Sequence, residues 1–434
     1  MAAMEGMLSE LDYFQPAVTQ LSVNAEYDRV FGPGQTIVQG GPIEFFVRGA
    51  DGLYLDLNNS KLEVKIKITL ENGNNLGNGD GVGPLNDLLN TMFQSIEMEM
   101  AGVLITDPNT KYAYRAVVEN IINYNKLIAD TRLLAEGWTK DTADQMGTTA
   151  PGGANLGLRA RTAWFAASRV VTLIGRPHLD LFHQEKLIPS NLDIKLRLIP
   201  NTSAFLLKTA APQANDPQVN YKVQLLSARL FIRTKEISPN LILAHEKMLQ
   251  TVNYSIPYNR IVTKTLTIPN GTSQIEFDNV YQGKLPDLVV LGLVSDANMT
   301  GGYQRNPFHF ANFGLNYLCM QANGELIPRL AYQPNFEGRD YIRSYFGVLE
   351  ALGFDIGPSC WDLTPEEWAN GYNLYAFKIT AGPIGTVRTP SRIGSVRLEI
   401  KFANATGANI NILLLSQQGA EIQIDKFKNV LSII

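Results

Sequence analysis

The stretch HLDLFHQE, residues 178–185, brings His178, Asp180, His183 and Glu185 close together. Imidazoles and carboxylates are the side chains that ligate zinc. The spacing does not complete such a site, because H-x4-H is not a zincin pattern and no further Cys or His lies nearby. If the stretch is extended, His178 and Asp180 share one face while His183 and Glu185 share the other. Structural or surface roles are expected for all four. The other two histidines, His245 and His309, stand alone in sequence.

Further candidates resolve the same way. GNGDGVGP (77–84) is glycine-rich, yet it lacks the Gly-Lys-Ser/Thr ending and the strand-to-helix setting of a phosphate cradle. Glu366 and Glu367 in LTPEEWANGY are adjacent, which places them poorly to flank one glycosidic bond. After Thr364-Pro365 they read as the first turn of a short helix. No G-x-S-x-G elbow occurs, and neither Cys319 nor Cys360 sits beside a base. GYNLYAF has the aromatics of a base-stacking platform without its basic frame, so core packing is the better reading. No catalytic, cofactor-binding or metal-ligating residue is assigned, no cofactor is expected, and the chain reads as a non-enzyme.

The elements that surround these residues are mostly strands. IEFFV, LEVKIKITL, SIEMEMAGVLI, DIKLRLI, VQLLSARLFIRT, TKTLTI, LVVLGLV, LNYLCM, LYAFKIT, VRLEIKF and NINILLL are short, β-branched or aromatic, and bounded by Gly, Asn, Pro and Asp. Several alternate polar with apolar, whereas LVVLGLV predicts burial on both faces. Helical patterns are few: PLNDLLNTMF, TKYAYRAVVENIINY, SPNLILAHEKML and YIRSYFGVLEAL. This balance indicates β-sandwiches or barrels rather than βαβ units.

The chain has 434 residues, 45% of them hydrophobic and 18% charged, enough for two or three globular cores. Its 37 basic and 41 acidic residues are mixed, with no basic block, so sequence-specific nucleic-acid binding is not expected. Two cysteines are too few for a disulfide framework. No apolar run approaches the roughly 18 residues of a membrane span. The N-terminus lacks a basic region followed by an apolar core, so secretion through a signal peptide is not expected.

One pattern occurs twice. SNLDIKLRLIP (190–200) and GSVRLEIKFAN (394–404) have the same alternation, and each leads through a polar loop into a longer β-rich stretch, YKVQLLSARLFIRTK or ANINILLLSQQGAEIQID. Residues 84–108 and 307–330 also correspond: a Pro-led apolar segment, a strand, a turn at Ala101-Gly102 or Asn323-Gly324, then another strand. A helical aromatic stretch and a tryptophan, Trp138 or Trp361, follow in both. Two copies of one β-domain in tandem account for this collinear order. The expected division is an N-terminal arm over 1–30, a first domain over 31–237, a linker helix over 238–249 and a second domain over 250–434. The polar loops 72–83 and 141–157 of the first copy are expected at the variable surface.

The segments GGPIEFFVRGADGLYLDLNNSKLEVKIKI, QGKLPDLVVLGLVSDANMTGGYQRNPFHFANFGLNYL, QPNFEGRDYIRSYF and ANGYNLYAFKIT resemble the double jelly-roll major capsid proteins of Polinton (Maverick) elements and adintovirus-like viruses. The resemblance runs over essentially the whole chain. It implies an all-β fold of two tandem eight-stranded jelly rolls with a few short helices. It also implies a homotrimer forming a pseudo-hexameric capsomer, neighbouring capsomers, penton and minor capsid proteins as partners, and localisation in the virion. The family has no catalytic residues to carry over. The rival of another class is a carbohydrate-binding or adhesive β-sandwich protein, for which the sequence offers no site.

Overall fold

The computed structural model describes residues 23–77, 80–189, 191–212, 219–355, 361–380 and 392–433. The first half contributes β1 (Val23–Phe31), β2 (Ile43–Val47), β3 (Leu53–Leu70), β4 (Phe93–Met100), β5 (Val103–Leu104), β6 (Val171–Gly175), β7 (Ile194–Pro200) and β8 (Tyr221–Ile237). The second contributes β9 (Tyr254–Ile268), β10 (Gln274–Lys284), β11 (Leu288–Ser295), β12 (Leu315–Ala322), β13 (Glu325–Tyr332), β14 (Leu374–Lys378), β15 (Ile393–Phe402) and β16 (Ile410–Ile424).

The first half builds sheets in the order β1-β8-β3-β6 and β2-β7-β4-β5. The second builds β9-β16-β11-β14 and β10-β15-β12-β13. Raising each label of the first pair of sheets by eight gives the second pair. Neighbouring strands are antiparallel. Each half is therefore an eight-stranded jelly roll, the fold class expected. Short additions trim the edges: Ile188–Pro189 pairs with β3, and Val430–Ile433 with β16.

The repeated phrases occupy equivalent places. One pair becomes β7 and β8, the other β15 and β16. The strand-turn-strand phrases become the hairpins β4–β5 and β12–β13. Their turns have φ of 48° and 80° at Ala101-Gly102, and 52° and 84° at Asn323-Gly324. Two successive positive φ values suit the right-handed twist of a tight hairpin, which is why glycine takes the second position in both.

Among the described residues four helices are longer than five residues, α1 (Tyr112–Asn123), α2 (Leu156–Trp164), α3 (Pro239–Leu249) and α4 (Ile342–Leu352), and a five-residue helix, α5 (Pro365–Ala369), follows. α1 and α4 follow β5 and β13 and so are counterparts. α3 connects β8 to β9. PLNDLLNTMF yields only the four-residue helix Leu88–Thr91, because Phe93 already belongs to β4. α2 lies partly within the segment expected to be a loop; Asn155 caps it by accepting from the Leu158 N–H. The expected arm over 1–30 meets a strand at Val23, since β1 pairs along β8. Residues 1–22 of that arm lie outside the described residues.

Apolar side chains gather in two cores, one per roll. β11 is buried from Leu288 to Val294, as its unbroken apolar run predicts. At the centre of the second core Trp368 is fully buried. Tyr341, Tyr345 and Tyr375 surround it with centroids 6.2, 6.0 and 5.3 Å away. Its indole N–H donates to the Leu374 carbonyl at 2.7 Å. Trp368→Ala should cost about 3–5 kcal/mol of folding stability, read as a lowered denaturant midpoint. A loss below about 1 kcal/mol would show that this aromatic cluster does not organise the second core.

Candidate functional site: the seam between the two halves

Helix α1 sits between the rolls. It belongs to the first by connectivity, yet Ala113, Tyr114, Val117, Val118, Ile121 and Ile122 all join the core of the second. From Tyr112 to Ile122 every residue is buried. Tyr112, Arg115 and Glu119 recur at helical spacing and form a polar stripe on a helix otherwise made for a core.

The partner of that stripe is the histidine segment. Asp180–His183 is one turn of 3-10 helix rather than a strand, which changes the expected division of faces. The turn brings His183 back to within 5.5 Å of His178, ring centre to ring centre. Glu119 then accepts from Arg115 Nε at 2.8 Å and from His178 Nδ1 at 2.5 Å. Arg115 Nη1 also reaches Asp180 Oδ1 at 2.7 Å. The same carboxylate oxygen accepts the Ile261 N–H of β9 at 3.2 Å, crossing into the second roll. His183 donates from Nδ1 to the Leu179 carbonyl at 2.9 Å. Glu185 is exposed and stands apart.

Burial disfavours the ionised forms of both carboxylates. For Glu119, Arg115 and His178 outweigh that penalty and hold its pKa well below the ordinary range. For Asp180 burial prevails despite Arg115, and its pKa is raised. Glu119, His178 and His183 place ligand-type atoms within 4.8 Å of one another. Both Glu119 oxygens are already engaged, and the Arg115 guanidinium supplies the positive charge beside it. The arrangement is suited to locking α1 against β9.

A second polar nest backs the first. Asp87 accepts from the side-chain amides of Asn90 and Asn120, each at 2.9 Å. Burial, reinforced by nearby Glu136, pushes the Asp87 carboxyl well above its usual range. Tyr112 ties the nests together, donating to Asn90 Oδ1 and accepting the His178 backbone N–H.

The seam continues through the segment 141–157, expected at the variable surface. Asp141, Ala143, Met146, Pro151, Asn155 and Gly157 within it are buried instead. Asn306 donates to the Met146 carbonyl at 2.8 Å, and Tyr372 to the Asp141 carbonyl at 2.9 Å. Asp141 also pairs with the buried Arg161 of α2 at 2.8 Å. A Cβ on Gly371 would approach the Ala143 carbonyl oxygen to 2.4 Å, so the segment presses on the second roll. It is a strap.

The other chemical candidates are occupied structurally. Glu367 closes a capping box with Thr364 and pairs with Lys140 at 2.9 Å. Tyr372, Tyr375 and Phe377 of GYNLYAF are buried in the second core. Cys319 is buried in β12; Cys360 lies outside the described residues. His245 Nδ1 bonds the Tyr54 hydroxyl at 2.8 Å, and burial lowers the pKa of His309. In the glycine-rich 77–84 stretch, Asp80 accepts the Gly77 N–H, while residues 78 and 79 lie outside the described residues. Arg115 and Glu119 escaped the sequence reading, although an Arg-x3-Glu pair inside YRAVVEN, flanked by apolar residues, was the available signal.

Comparisons with known proteins agree with the sheet order. A subunit of the Sputnik virophage superposes over 100% of this chain and 93% of its own, with a TM-score of 0.66 at 11% identity. The Faustovirus major capsid protein covers 99% and 93%, with a TM-score of 0.61 at 9% identity. The mavirus major capsid protein covers 99% and 95%, with a TM-score of 0.51 at 10% identity. The fold is a double jelly roll. By sequence, an uncharacterised protein of Caenorhabditis elegans is 24% identical over 357 residues, 78% of this chain and 80% of its own. No protein-family model matches.

Two measurements test this double jelly-roll seam. Asp180→Asn leaves Arg115 with one fewer buried counter-charge and should cost about 3–5 kcal/mol, read by chemical denaturation; a near-neutral effect would remove the network from the stabilising interactions. Lys208 donates to the carbonyls of Phe205 at 2.6 Å and Gly302 at 3.0 Å, and burial lowers its pKa to about 7. Above that pH the folded chain releases a proton that the unfolded chain holds up to about 10.4. This group therefore makes stability rise with pH between those values. Lys208→Met should flatten the rise relative to wild type, and an unchanged pH profile would refute the assignment.

Proposed function

We propose that this chain is the major capsid protein of an icosahedral particle, a structural subunit rather than a catalyst. The observation that carries the reading is the twinned strand order, two equivalent rolls fixed side by side in one chain. The end-to-end likeness to the Faustovirus and mavirus major capsid proteins supports it. Three chains, each contributing two similar wedges, make six wedges around a three-fold axis, and such a pseudo-hexagon tiles a shell. Contacts between unlike wedges close that ring instead of running on as a filament. Side-by-side neighbours would cover strand edges that a lone roll leaves open. Further capsomers, with penton and minor capsid proteins, would complete a particle located in the virion. The near-neutral balance of 37 basic against 41 acidic residues keeps self-repulsion small during assembly.

Light scattering after size exclusion tests this first. The purified chain should run as one species of three times 48.0 kDa, stable to dilution, and form shells or sheets visible by electron microscopy. A monomer across a wide concentration range would overturn the capsomer assignment.

A further inference from the structure

The two rolls carry the same helix in the same place and treat it differently. α1 is buried by the neighbouring roll of its own chain, whereas α4, its counterpart after β13, buries only Ser344, Gly347, Val348 and Ala351. Ile342 and Phe346, one turn apart on α4, are 55% and 46% exposed. Leu330 of β13 is 64% exposed, and Arg343 of α4 bonds the carbonyls of Leu330 and Ala331, which ties this part of β13 to the helix.

A complementary difference exists on the other side of the rolls. β9 opens with YSIPY, and its Tyr258 is 4% exposed, packed with Ile256 into the core of the first roll. β1 opens with VNAEY, and its Tyr27, equally far from the strand start, is 43% exposed. Both strands pair with the long last strand of their roll, β16 or β8. Within one chain, the helix side of the first roll meets the β9 side of the second. Among the described residues, what remains uncovered is the helix side of the second roll and the β1 side of the first.

We infer that Ile342 and Phe346 of α4, with Leu330, dock on the β1 face around Tyr27 of a second copy of this chain, repeating between chains the contact that α1 makes within one. The inference rests on the capsomer reading and assigns its interface to particular residues. The docking is heterologous: each chain offers one helix face and one strand face. Three copies satisfy every face, and no face pairs with its own kind.

The experiment uses two variants of the full chain, Ile342→Glu/Phe346→Glu and Ala25→Glu/Tyr27→Glu, each checked by circular dichroism and thermal melting. Both sites are exposed, so melting should stay close to wild type. Each variant alone should lose the trimer in light scattering. Mixed in equal amounts, they should form a species of twice 48.0 kDa, since one intact helix face then meets one intact strand face. Folded variants that remain trimeric would overturn the assignment while leaving the capsomer standing. Variants that separate but fail to pair on mixing would overturn the heterologous docking, as would self-association through α4 alone. Covering of the β1 face by residues 1–22 of the same chain would show as a helix-face variant that dissociates beside a strand-face variant that does not, and would also overturn it. A monomeric wild type would defeat the capsomer itself.

Discussion

The buried guanidinium of Arg115 ties the first roll to the second. Arg115 lies between Glu119 and Asp180, where burial would otherwise make two carboxylates intolerable. Through Asp180 the network reaches the backbone of β9, and through Glu119 it fixes His178. Buried ion pairs are poor sources of net stability but strict about geometry, since each partner left alone is costly. Here that strictness falls at the one place where two similar domains must adopt a single relative orientation. Apolar contact between α1 and the second core supplies the area, and the charges supply the register.

The duplication sets a further constraint. Two domains with identical strand order face different surroundings, so the same structural positions carry different chemistry. The helix after the fifth strand is core in the first roll and partly surface in the second. Among the described residues, the start of the opening strand is buried in the second roll at Ile256 and Tyr258 and exposed in the first at Tyr27. Each difference follows from what lies alongside, not from the roll itself.

Much of this was legible in the sequence, because period-two alternation and repeated turns are local. β7, β8, β15 and β16 were visible as a repeated phrase, as were both hairpins with positive φ at Ala101-Gly102 and Asn323-Gly324. β10 was not visible. Its sequence QIEFDNVYQGK is largely polar at a sheet edge, and its register breaks between Phe277 and Tyr281, where Asn279 has a φ of 53°. β1, another edge, was weak for the same reason. The seam was hidden more deeply. His178 and Asp180 drew attention as a cluster, but their partners lie some 60 residues earlier on α1, and nothing local marks residues 141–157 as a strap. Composition made that segment look free, whereas the distant side-chain donors Asn306 and Tyr372 and the pressure of Gly371 decide its place.

The strap and α1 also bear on the order of events during synthesis. Chains emerge from the N-terminus, and domains ordinarily fold as they appear. The first roll can close its own sheets once β8 has left the ribosome. It must nevertheless wait with Val117, Val118 and Ile121 uncovered, since their core is built by residues not yet made. The strap waits as well, its carbonyls unclaimed until Asn306 and Tyr372 arrive. The first half is complete in topology long before it is complete in surface, and it is a nascent chain with a sticky flank until the second half covers it.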